Sequence, residues 1–121
     1  MAATLTRNER NRALDMLLIA RMQHTRWVAE VKENRIPQVE GDPTRCEFGR
    51  WLLGSQETLA GFDAFRALEQ PHTALHDAYK RLLKNPANDA ERQAVVDHSR
   101  ELIDNIDQLE NALNRARVEA D

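Results

Sequence analysis

The sequence predicts an all-α domain: an antiparallel four-helix bundle with a short cysteine-bearing helix between long helices. Two observations carry this expectation. Gly and Pro number only four each in 121 residues, while Ala, Leu, Glu, Arg and Gln, which lose little on entering a helix, dominate. Apolar residues also recur at three- and four-residue intervals over three long stretches, the period of one helix face, and strict strand-like alternation is absent. A chain of this length supports one hydrophobic core, so residues 1–121 are expected to form a single domain with its core at about 10–115.

The first helix is expected from about Thr6 to about Asn34. Leu14, Leu17, Leu18, Val28 and Val31 mark its apolar stripe, with Arg21, His24 and Trp27 in the same stripe. His24 therefore points where a leucine would point. Ile36-Pro37 and Gly41-Asp42-Pro43 stop this helix and make a loop. Thr44-Arg45-Cys46-Glu47 reads as a capping box with Thr44 as N-cap, which places Cys46 in a first turn where the helix dipole favours a thiolate. That short helix runs through Trp51-Leu52-Leu53 and ends at Gly54. The third helix starts at Gln56 or Phe62 and runs to about Lys84 on a stripe of Phe62, Phe65, Leu68 or Glu69, His72, Leu75 or His76, Tyr79, Leu82 and Leu83. Pro71 is expected to kink or break it. Asn88-Asp89-Ala90-Glu91 is a second capping box, opening a last helix that carries Val95, Val96, Leu102, Ile103, Ile106, Leu109 and Leu113.

The charge balance narrows the function. The formal net charge is −3, mixed in sign along the chain, with no clustered basic face for nucleic acid. No apolar run approaches the roughly 20 residues of a membrane span, and the N-terminus lacks the layout of a signal peptide. One cysteine cannot staple the fold by itself. A cytoplasmic domain, with its thiol reduced or bound to metal, is expected.

The chemistry lies in four residues. His72 and His76 stand at i, i+4, on one helix face about 6 Å apart, where they can grip one ion. His24 and Cys46 complete one thiol and three imidazoles, the ligand set of a closed tetrahedral Zn2+ site. Trp27, Phe48 and Trp51 would pack around it and keep water out, with Phe48 and Trp51 on opposite sides of the short helix. Zinc enzymes with the same His spacing place a Glu or Asp after the first His as base. Thr73, Ala74 and Leu75 supply none, and four protein ligands leave no place for a water, so no enzymatic activity is expected. A di-metal bundle would need two Glu-x-x-His motifs, and only Glu69-Gln70-Pro71-His72 is present. His98 has no partner at ligand spacing and reads as an ordinary polar position.

His24-x-x-Trp27, then Cys46-x-Phe48-Gly49-x-Trp51, then His72-x-x-x-His76 resembles the chemoreceptor zinc-binding domain family over about residues 10 to 115. The resemblance implies a four-helix bundle whose three-His, one-Cys site holds zinc tightly. It also implies a homodimer attached to, or acting on, a bacterial chemoreceptor or diguanylate cyclase, with zinc occupancy or cysteine oxidation tuning the output. Pro71, directly before His72, departs from the family's pattern, and the sequence carries no coiled-coil or cyclase signature of its own. The alternative expectation is a purely structural zinc in a helical interaction or dimerisation module.

Overall fold

The computed structural model describes residues 5–35 and 45–120. The order of elements is β1 (Leu5–Thr6), α1 (Arg7–Lys32), α2 (Glu47–Gly54), α3 (Gln56–Leu59), α4 (Asp63–Arg66), α5 (Glu69–Lys84), α6 (Asp89–Arg115) and β2 (Val118–Glu119). The all-α bundle is therefore observed, with α1, α5 and α6 as its long helices and the short α2, α3 and α4 between α1 and α5. No described helix is long and apolar enough to cross a membrane.

Helix α1 starts on a capping box. Thr6 accepts from the Glu9 N–H and the Glu9 carboxylate accepts from the Thr6 N–H, which satisfies two donors that an uncapped first turn would leave unpaired. It ends at Lys32 with Asn34 in the left-handed region (φ 63°), a conformation asparagine tolerates after a helix. The buried residues are Ala13, Leu17, Ala20, His24, Trp27 and Val31, alternating steps of four and three. Leu18, expected inside, is exposed, and Leu14 and Val28 are only half-buried. Two small residues, Ala13 and Ala20, take those core positions and let the facing helix approach closely.

The loop prolines and Thr44 lie outside the described residues. Cys46, not Thr44, is the N-cap of α2: its backbone is extended, and its Sγ accepts from the Gly49 N–H at 3.2 Å. Glu47 then stands at the first helical position, from which it cannot close the expected capping box. Gly54 is the last residue of α2 rather than a left-handed terminator, because the chain passes through Ser55 directly into α3.

The expected third helix is three pieces. A proline at 71 removes the bond to the carbonyl of Ala67, and its ring crowds that carbonyl, so a helix arriving from α4 cannot continue through it. The chain stops at Arg66 and restarts at Glu69, which puts Pro71 in a first turn where no N–H is needed. Leu83, expected inside, is exposed, while Leu68, Leu75, Ala78, Tyr79 and Leu82 are buried. Asn88 caps α6 by accepting from the Glu91 N–H at 3.2 Å. The return half of this box is replaced: the Asn88 N–H goes to the Asn85 carbonyl, and the Glu91 carboxylate takes Arg81 Nε at 2.8 Å, tying α5 to α6.

Helix α6 is the spine. It packs antiparallel on α5 across the Asn85–Asn88 turn, on α1, and on α4. Leu102, Ile106, Leu109 and Leu113 are fully buried along it. Arg21 of α1 makes ion pairs with Asp107 and Glu110 of α6. At the far end Leu5 pairs with Val118 and Thr6 with Glu119 in a parallel two-stranded sheet that the helical pattern gave no reason to expect. Leu5 is fully buried there.

Candidate metal centre

Three elements bring their ends to one point. Helix α1 contributes His24 from its core stripe, the α2 N-cap contributes Cys46, and the first two turns of α5 contribute His72 and His76. His72 falls in the first turn because Pro71 fixes where α5 restarts, and its N–H bonds to the Leu68 carbonyl at 3.2 Å. His76 follows one turn later on the same face.

The side chains converge. His72 Nε2 lies 3.2 Å from Cys46 Sγ and 3.1 Å from His76 Nε2. All three ligand atoms fall within 4.8 Å of one another, with both imidazoles buried and Cys46 half-buried. A tetrahedron around Zn2+, with Zn–N near 2.0–2.1 Å and Zn–S near 2.3 Å, has edges of about 3.3 Å between nitrogens and about 3.6 Å between nitrogen and sulfur. The two observed edges are within about half an ångström of these, so the three donors fit one ion.

His24 is beside this group but outside it. Its ring centroid is 6.1 Å from that of His72 and 5.8 Å from that of Phe48. Its Nδ1 lies 2.7 Å from the Ala20 carbonyl. A carbonyl can only accept, so Nδ1 carries the proton and Nε2 keeps the lone pair, the arrangement by which an outer hydrogen bond orients a metal-binding histidine. Cys46, His72 and His76 alone would leave an ion with a fourth position, and His24, whose ring stands edge-on to that of His72, lies beside it.

The electrostatics agree with ligation. Burial pushes His72 down to about 3, with the neighbouring His76 and His24 rings adding to the shift. Burial also lowers His24, partly offset by the Ala20 carbonyl. Both are neutral at physiological pH, with lone pairs available and no proton to displace. For the metal-free protein this sets a pH dependence. The folded state holds His72 below its ordinary value of 6.5, so its contribution is complete above pH 6.5 and is lost as pH falls toward 3. Between pH 6.5 and 5, His72 alone should cost about 2 kcal/mol of stability. Urea midpoints of chelator-treated protein should fall across that interval, and fall less in His72→Gln. A flat profile would contradict the burial of a neutral imidazole.

The aromatic wall is partly as expected. Trp27 packs against His24 and His76 with centroids at 5.9 and 5.7 Å, and Phe48 presents an edge to His72 at 5.1 Å. Trp51 does not sit opposite Phe48. The two rings stack at 5.7 Å on one side of α2, as residues three apart must, and Trp51 leans on Phe65 rather than on a histidine. Tyr79, whose place in the stripe was legible but whose role was not, backs Trp27 at 5.0 Å. Water is not fully shut out: a groove of about 840 Å³ between α1 and the start of α2 reaches His24, Cys46 and His76. His98, as expected, takes no part.

No curated protein and no solved structure matches the chain. The sequence model of the chemoreceptor zinc-binding domain matches residues 24–83, a segment that opens on His24 and contains Cys46, His72 and His76. Together with a Cys/His/His cluster positioned to hold a metal, this makes zinc the cofactor of the domain. Through residues 24–83 the chain belongs to the chemoreceptor zinc-binding domain family.

Proposed function

We propose that this chain is a cytoplasmic, non-catalytic sensory domain, a homodimer. His24, Cys46, His72 and His76 hold one Zn2+, and zinc occupancy or Cys46 oxidation modulates a bacterial signalling partner such as a chemoreceptor or diguanylate cyclase. The observation that carries this reading is the convergence of the Cys46 sulfur and the His72 and His76 nitrogens from two elements separate in the sequence, α2 and α5. The position of Cys46 supports a responsive role. It is half-buried, caps an eight-residue helix, and borders an open groove, so an oxidant can reach it. A thiolate attacking hypochlorite takes its oxygen and releases chloride, leaving a sulfenate that is a poorer zinc ligand. Helix α2 is eight residues long and is otherwise anchored through Phe48 and Trp51, so loss of the Cys46 bond loosens a short segment and leaves the long helices in place.

The test is hydrogen exchange on zinc-loaded protein before and after one equivalent of hypochlorite. Amides of residues 45–54 should exchange about 10-fold or more faster, while α6 amides stay protected. Unchanged exchange in that segment would count against a switch at Cys46.

The shortness of α2 favours a second reading, a purely structural zinc that fixes α2 to α5 in an interaction module. Far-ultraviolet circular dichroism separates the two. A structural site predicts loss of helix when zinc is removed, whereas the sensory reading predicts that α1, α5 and α6 remain helical.

A further inference from the structure

Helix α1 carries a second heptad-spaced seam that nothing among the described residues covers. Asp15, Leu18, Met22, Thr25, Ala29 and Lys32 follow steps of three, four, three, four and three, the spacing of a coiled-coil contact. At 100° per residue this seam lies about 130° round the helix from the core line of Leu17, His24 and Val31. Leu18 is 51% and Met22 is 63% exposed, with Ile19 beside them at 42%. Neither Asp15 nor Lys32 makes an ion pair among the described residues.

We propose that this seam is the homodimer interface, and that two copies of α1 pair antiparallel across it. The seam is self-complementary when reversed. Set against a second copy running the other way, Asp15 meets Lys32, Leu18 meets Ala29, and Met22 meets Thr25. Acid faces base, and each large side chain faces a small one, at all six positions. A parallel pairing in register would place Asp15 on Asp15 and Lys32 on Lys32, opposing like charges at both ends. The seam also borders a hollow of about 310 Å³ between α1 and α6, where Thr25, Val28, Ala29, Val96 and Ile103 leave room. Leu18 of the second copy, arriving over Ala29, fills it. The exposed leucine and the hollow thus cover each other, and two copies supply both halves twice, as a two-fold contact requires. One helix pair buries less than the roughly 800 Å² per partner of a standard interface, so the dimer is a weak, concentration-dependent one.

The dimer itself rests on the functional reading above; the face and the antiparallel register are set by the seam. The test is sedimentation equilibrium of the zinc-loaded protein at increasing concentration. Wild type should dimerise. Leu18→Glu should weaken association about 100-fold or more, since it buries an unpaired charge in the seam while altering a residue that is exposed in the single chain. Asp15→Lys and Lys32→Asp should each weaken it several-fold by bringing like charges together, and the double variant should restore it, because exchange of both charges rebuilds both pairs. A wild type that stays monomeric at about 1 mM, well above the range of a specific dimer, would overturn the homodimer reading and this interface together. A dimer that ignores Leu18→Glu, or one not restored by the double charge exchange, would overturn the face or the register alone.

Discussion

Purified protein is expected to contain about one zinc per chain by elemental analysis, and His72→Ala and Cys46→Ala to lose it. His72 is the pivot of the cluster, since its Nε2 is the atom within 3.2 Å of both Cys46 Sγ and His76 Nε2. Its removal separates the remaining donors and leaves an ion with too few ligands for a structural-type site. Loss of an outer hydrogen-bond partner of a ligand typically costs 10- to 100-fold in affinity, so loss of a ligand should exceed about 100-fold. His24→Ala serves as the graded case. If His24 is the fourth ligand, zinc binding falls steeply. If water takes that position, zinc stays bound with a much smaller loss. Folded wild-type protein with no zinc would leave these residues as core histidines and remove the functional reading.

Trp27→Ala should be the most destabilising substitution near the site, by about 3–5 kcal/mol, the usual cost of truncating a buried tryptophan. Trp27 is 5% exposed and fills the space between His24, His76 and Tyr79. The resulting cavity also removes the wall that holds two of the imidazoles, so zinc affinity should fall with stability. Trp27→Phe distinguishes packing from hydrogen bonding. Trp27 Nε1 is buried without an acceptor, so the phenylalanine variant loses no bond and relieves an unpaired donor. It should cost about 1.5 kcal/mol or less in urea denaturation and keep the zinc. A phenylalanine variant as damaged as the alanine one would show that the indole does more than fill space.

The helices were legible because their stripes were long and their ends were marked by residues with one mechanical meaning. Asn88 capped where it should, and Pro71 broke the chain where it had to. Three features needed the structure. Cys46 took the cap of α2 because a sulfur in extended backbone reaches the Gly49 N–H as a hydroxyl would, and sequence rules rank Thr44 first for that post. Leu18 looked like core because a one-residue shift of a helical stripe changes the face by only about 100°, and the choice between neighbouring stripes depends on what Ala13 and Ala20 allow opposite them. The β1–β2 pair is two residues long on each side, too short to leave a period. The site was more legible than the fold. His72 and His76 share a face in any helix, and only the distance to Cys46 and the stand-off of His24 had to be seen.

The pairing of Leu5 with Val118 has a consequence for the order in which the molecule assembles. Helices α5 and α6 are neighbours along the chain, joined by a tight turn, and can zip together with little loss of loop entropy. Helix α1 finds its main partner in α6, at the other end of the sequence, so its seam closes across the longest loop the chain contains. Docking of α1 therefore carries the largest loop-closure cost among the helix pairings. Cys46, His72 and His76 all come from α2 and α5, so an ion gathered by them can fix those elements before α1 arrives. His24 then comes in with α1, bringing a third imidazole beside the cluster at the step that completes the bundle.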